Sequence, residues 1–252
     1  MGISQTVSEH IADVVIDVPP VNALSSKGWF ELADVLRASG ADPDVHVVVL
    51  RAEGKGFCAG VDIKALDSDA SHDELIAVNR GCAEAFAAVY ECEVPVVAAV
   101  QGFCLGGGVG LVGSADVIVA SDDATFGLPE LARGALGAAT HLSRLVPFKE
   151  VRWMLYTGAT ATADQLREWG SVQGVVPRDE LEDAARTVAA EIAAQHPRLL
   201  RAAKEALNGI DPVDVRRSYR FEQGFTFELN LTDVPDEARR AFVEKRDPDF
   251  GS

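Results

Sequence analysis

The sequence predicts an α/β fold, and three observations carry that expectation. Short β-branched runs recur through the first half and alternate with helical patterns. Such runs suit parallel strands buried on both faces beneath helices. After about residue 140 the strand signals thin out and amphipathic helical periodicity takes over. At 252 residues, 48% hydrophobic and 25% charged, the chain can build one large core without a second independent domain.

Taken in order, IADVVIDV (11–18) reads as a strand, WFELADVLRASG (29–40) as a helix and HVVVLRA (46–52) as a strand. A glycine-punctuated loop, EGKGFCAGVD (53–62), precedes a helix over 73–90 and the strand VPVVAAV (94–100). The glycine cluster LGGGVGLVG (105–113) and the strand ADVIVAS (115–121) follow. Beyond lie helical patterns over 141–158, 162–170, 180–195, 197–209 and 213–230, with the short strand VQGVVP (172–177) among them. Gly158, Gly170 and Gly209 supply helix stops, because glycine takes the left-handed cap conformation without penalty. The chain is expected to divide into a core with the active site over 1–195 and a C-terminal helical region over 196–252.

A formal net charge of -16 and a pI near 4.7 argue against nucleic acid, whose phosphates need clustered Lys and Arg. Cys58, Cys82, Cys92 and Cys104 show no CxxC or Cys/His spacing, so no metal site is expected. They read as reduced thiols of a cytoplasmic protein. The first residues lack a basic stretch followed by an apolar core, so no signal peptide is expected.

The glycine cluster admits three readings. Residues 94–115 carry no charged side chain and contain GxxxG spacings, as in packed transmembrane helices; Pro95 and the acidic flanks without Lys or Arg anchors oppose this, and no membrane partner is expected. Gly108, Gly110 and Gly113 spell GxGxxG, but too far from the preceding strand and too close to the next for a dinucleotide fold. The third reading is a helix start whose bare backbone N–H groups meet developing negative charge, an oxyanion hole. Simple tight packing of a short helix is its alternative.

GKGFCAGVDIK (54–64), the glycine cluster and FGLPE (126–130), in this order, resemble the crotonase (enoyl-CoA hydratase/isomerase) superfamily. The likeness runs from PPVNAL (19–24) to AFVEKR (241–246). The resemblance implies a ClpP-like spiral of ββα units with a C-terminal helical trimerisation region, assembled as a homotrimer or a dimer of trimers. It implies an acyl-CoA substrate, with coenzyme A as part of that substrate and no separate cofactor. By the same resemblance the backbone N–H groups of Val61 and Gly107 grip the thioester carbonyl, and Glu130 is the base. Val61, Asp62, Ile63, Lys64, Gly107, Gly110, Phe242 and Lys245 are the expected substrate and CoA contacts.

Hydratases of this superfamily use two glutamates, and the position of the first is Gly110 here. Ordinary hydration is therefore not expected to lead. LGGGVGLVGSADVIVAS, ATFGLPELARGALGAATHLSRL (124–145) and YRFEQGFTFELNL (219–231) are similar to the superfamily's ring-opening hydrolases of bacterial steroid degradation. The implied reaction is hydrolytic C–C cleavage of a bicyclic CoA thioester through a dienolate. A Δ3,Δ2-enoyl-CoA isomerase, an enoyl-CoA hydratase and a non-catalytic CoA-binding member are the alternatives. Gly110 is expected to leave room for the fused ring. His141 is a possible substrate or water contact, with a packed histidine as its alternative. Arg80, Tyr219 and Arg220 are further, weaker acyl-pocket candidates.

Overall fold

A computed structural model describes residues 2–64 and 72–250. The chain opens with an antiparallel hairpin of β1 (Gly2–Ser8) and β2 (Ile11–Asp17), then repeats one pattern. After β2 come β3 (Ala23–Leu24) and α1 (Ser26–Ala41); then β4 (Val47–Ala52), β5 (Gly60–Val61) and α2 (His72–Tyr90). Next are β6 (Val96–Val100), β7 (Phe103–Leu105) and α3 (Gly107–Val112), followed by β8 (Val117–Ser121) and β9 (Thr125–Gly127). Each turn places one strand in a large sheet, one in a smaller layer, and returns through a helix. This is the expected spiral of ββα units.

The large sheet has the order β1-β2-β4-β6-β8-β11, where β11 is Gly174–Val176. From β2 onward its pairs are parallel. Its central strands are buried on both faces, as β-branched runs without alternation require. Val48, Leu50, Ala98, Val100 and Ala120 join the main core, while Val47, Val49, Val97, Ala99 and Val119 face Leu181, Ala185 and Ala189 of α7 (Leu181–Ala193). β1 escapes the sequence patterning because it is a half-exposed edge strand with polar alternation, GISQTVS.

The smaller layer consists of β3 with β5, and of β7, β9 and β10 (Thr160–Thr162) in the order β10-β9-β7. A parallel bridge between Cys58 and Cys104 joins the two groups. These strands are two or three residues long, too short to show a period in the sequence. The remaining helices are α4 (Ala139–Leu142), α5 (Phe148–Thr157), α6 (Ala163–Glu168), α8 (Pro197–Ile210), α9 (Val215–Leu229) and α10 (Val234–Glu244). The helix expected over 141–158 is two helices, α4 and α5, separated before Pro147, whose ring cannot continue a helix from its N-terminal side. The uncharged run 94–115 folds as β6, β7 and α3; among the described residues no helix is long and apolar enough to cross a membrane.

α3 lies against two aromatic rings. A Cβ on Gly107 would come within 2.6 Å of Trp29 of α1, and a Cβ on Gly110 would overlap the Phe86 ring of α2. Trp29 and Phe86 are themselves buried and meet edge to face, centroids 5.7 Å apart. The expected room at Gly110 is thus filled by Phe86, and Gly110 is a packing position in the first place. Gly110→Ala should force Phe86 aside and cost about 1–3 kcal/mol in a denaturant melt. Pairing it with Phe86→Leu should recover part of that loss.

Candidate active site

The three motifs meet because β5, β7 and β9 are neighbours in the smaller layer. β7 and β9 run parallel with Leu105 opposite Gly127, and the Cys58–Cys104 bridge sets β5's approach beside β7. Their carboxyl ends therefore deliver Val61, the start of α3 at Gly107, and the turn to Glu130 to one place. Gly107 N lies 3.0 Å from where a Cβ would stand on Gly60, so the two expected donor loops touch.

Gly107 opens α3, and an opening residue has no acceptor within its own helix. Just past β5 the N–H of Asp62 donates to the Leu24 carbonyl of β3 at 3.0 Å. Alternation along a strand then turns the preceding N–H, that of Val61, away from β3. Both donors border the same pocket, lined also by Ala59, Ile63, Glu130 and Gly137.

Glu130 stands in the first turn of a 3-10 helix over Pro129–Arg133, opened by Pro129. Two glycines of positive φ make space for its carboxyl: a Cβ on Gly106 (φ 57°) would overlap Oε1, and one on Gly137 (φ 83°) would lie 2.9 Å from Oε2. Oε2 is buried and has no hydrogen-bond partner in the protein. Burial pushes the Glu130 pKa up to about 7; its own backbone N–H and the Arg133 guanidinium oppose the shift, and Glu222 adds to it. The carboxyl thus titrates at neutrality, where a base is most useful.

Sequence reasoning missed Glu222 and Phe86. Glu222, on α9, accepts from the backbone N–H groups of Ala139 and Thr140 at 2.7 and 3.0 Å and from the Thr140 hydroxyl at 2.9 Å. It fastens the start of α4 and so the Gly134–Ala138 stretch that borders Glu130. The stretch 219–231 offered the signal, but only α9 packing on α4 reveals the contact.

Other pocket walls come from beyond residue 195: Tyr219, Gln223, Thr226, Asn230 and Arg239. Gln223 donates to the Asn79 carbonyl at 2.8 Å, tying α9 to α2. The C-terminal helices therefore supply part of the pocket wall, as expected for Tyr219, while Gln223, Thr226, Asn230 and Arg239 were not anticipated. Phe242 of α10 stacks beneath the Arg133 guanidinium of its own chain, 4.4 Å from carbon to ring centroid. Lys245 caps α10 with left-handed backbone and is exposed. Lys64 is exposed beside the pocket's Ile63, its N–H donating to Asp62 Oδ1 at 3.1 Å. Arg80 and Arg220 line a second cavity, not the Glu130 pocket.

His141 is buried between Phe86 and Tyr219, ring centroids 4.8 Å from each, and neither ring nitrogen has a hydrogen-bond partner. Burial, with help from Arg144, pushes its pKa down to about 3, so it stays neutral. It is absent from the walls of the Glu130 pocket and has the surroundings of a packing residue. Among the described residues no His/Cys/Asp/Glu group could hold a metal ion.

The chain belongs to the enoyl-CoA hydratase/isomerase (crotonase) family: that family's model matches residues 6–252. A Rhodococcus jostii protein is 62% identical over 98% of this chain and 96% of its own length. It bears the name (7aS)-7a-methyl-1,5-dioxo-2,3,5,6,7,7a-hexahydro-1H-indene-carboxyl-CoA hydrolase. A Mycobacterium tuberculosis protein of the same name is 61% identical, covering 97% of this chain and 100% of its own. Among solved structures, an enoyl-CoA hydratase from Mycobacterium avium subsp. paratuberculosis superposes with a TM-score of 0.88 at 25% identity, covering 100% of this chain and 99% of the other.

Two outcomes follow from the buried groups. Glu130 holds its proton more tightly folded than unfolded, so its contribution to stability falls as pH rises from about 4.5 through about 7. Glu130→Gln should therefore be more stable than the parent at pH 8, by up to about 3 kcal/mol in urea melts, and equal to it near pH 4. His141→Leu removes two unpaired polar nitrogens, and should melt no lower than the parent while keeping turnover within about threefold.

Proposed function

We propose that this chain hydrolyses a bicyclic indene-dione-carboxyl-CoA thioester left from steroid C/D rings, opening the five-membered ring. One observation carries the reading: a single desolvated carboxyl, Glu130, shares a pocket with Val61 and Gly107 and is the sole carboxylate among its described lining residues. Hydration by paired glutamates lacks its second acid there. The relatives' substrate name places a ketone next to a methyl-bearing ring-fusion carbon and leaves one double bond in the ring system.

Glu130 takes a proton from water as its oxygen adds to that ketone. The bond between the former ketone carbon and the ring-fusion carbon then breaks. Its electron pair passes through the double bond onto the thioester oxygen, where the Val61 and Gly107 N–H groups hold the dienolate. The proton on Glu130 returns to carbon, and the net change is addition of one water as a new carboxylic acid, which ionises to solvent.

A Δ3,Δ2-enoyl-CoA isomerase is the second reading, favoured by the same lone base beside two donors. Lys64, Phe242 and Lys245 are assigned to the CoA end, and Asp62 and Ile63 to its approach. A homotrimer or a dimer of trimers is supported by the exposed apolar faces of α5 and α9, with Phe148, Trp153, Tyr156, Phe221 and Phe225 on the surface. A cytoplasmic setting is supported by the four free, buried cysteines.

Product analysis with the bicyclic thioester and crotonyl-CoA in parallel tests the reaction. A product with one added water and a new free carboxylate, from the bicycle alone, is expected; turnover of crotonyl-CoA alone would overturn the proposal. With the bicycle, kcat/KM should rise with pH and level off above about 7, because only ionised Glu130 accepts a proton.

A further inference from the structure

Hydrolytic ring opening develops negative charge at two separate oxygens. The thioester oxygen has the Val61 and Gly107 N–H groups. The attacked ring ketone becomes an alkoxide, and later a carboxylate, and these donors cannot serve both ends of a fused bicycle at once. A second donor must lie on the Glu130 side of the pocket, since Glu130 delivers the water there.

Arg133 stands on that side. It follows Glu130 by three residues in the 3-10 helix Pro129–Arg133, and side chains three apart eclipse in such a helix. Both residues line the pocket. Among the described residues the guanidinium makes no ion pair or hydrogen bond with a carboxylate, unlike Arg239, which is held by Asp236 and Asn230. It is half-buried, with one face on the Phe242 ring. Its charge is felt at Glu130, which places the two groups within electrostatic reach. A planar donor fork without an anionic partner, beside the base, suits an oxyanion and then a carboxylate.

We infer that Arg133 is a second oxyanion donor for ring opening, binding the alkoxide formed from the ring ketone and then the carboxylate it becomes. The inference rests on the ring-opening reading. Water oxygen bonds to the ketone carbon, Glu130 accepts one proton, and the carbonyl π pair moves to oxygen, where Arg133 receives it. The carbonyl then reforms as a carboxylic acid, the C–C pair leaves into the dienolate and takes the proton from Glu130, and the acid loses its own proton to solvent so that Arg133 holds the carboxylate. An isomerase needs no such donor, because its only anion is the thioester enolate.

The test compares the parent, Arg133→Gln and Arg133→Lys with the bicyclic thioester across pH, with and without added methylguanidine. Arg133→Gln should lose about a hundredfold or more in kcat. The loss should persist on the plateau above the Glu130 titration, methylguanidine should restore part of the rate, and Arg133→Lys should fall between. Recovery of full rate at high pH would mean that Arg133 acts only through the Glu130 pKa, and the inference would be wrong. A raised KM with unchanged kcat would instead make it a CoA contact, which also overturns it. Misfolding is read separately, since a variant that has lost its pocket is not rescued by methylguanidine but gives the parent's circular dichroism neither. In that case product inhibition of the parent decides: inhibition by the ring-opened acid should weaken at least tenfold when its new carboxylate is methylated, and equal inhibition by acid and ester would defeat the proposal. If the parent itself gives no ring-opened acid, the ring-opening reading fails first.

Discussion

The site depends on one desolvated carboxyl. Glu130 Oε2 is buried without a partner, and two glycines of positive φ give the carboxyl its space. A buried ionised carboxylate is costly, so the fold holds Glu130 near the point where proton loss and proton gain balance. That cost is structural as well as catalytic. Glu222 anchors the start of α4, α10 covers the 3-10 helix, and both hold the wall against which Glu130 rests.

The spiral explains how distant segments reach it. Parallel strands in a second layer present their carboxyl ends together, the end from which α/β folds generally bind ligands. One strand end brings Val61 to the pocket, the next opens a helix at Gly107, and the third leads to Glu130. The glycines of α3 admit two aromatic rings: Gly107 lies against Trp29, and Gly110 against Phe86. The loss of a side chain at 110 is therefore compensated by an aromatic ring from α2 rather than by open volume.

The parallel core, the helical second half and the three motifs were legible in the sequence, because β-branched runs, helical periods and local spacing are all short-range signals. The ββα spiral came from family resemblance, as did the roles given to Val61, Gly107 and Glu130. The strands β3, β5, β7 and β9 were not legible, being too short for a period. Phe86, Glu222 and Arg133 were missed for a different reason. Their significance comes from α2, α9 and a 3-10 turn packing around Glu130, and no local spacing encodes that. His141 was legible as a candidate, yet its two aromatic neighbours are 55 and 78 residues away in the chain.

The central claim is that burial, outweighing the opposing pull of Arg133 and of its own backbone N–H, sets Glu130 near neutrality. Its carboxyl stretch can be followed by infrared difference spectroscopy across pH, with Glu130→Gln as the subtraction reference. A single band titrating near pH 7 is the predicted result. A carboxyl fully ionised by pH 5 would contradict it, and would mean that the site is solvated and the base is poised by some other means.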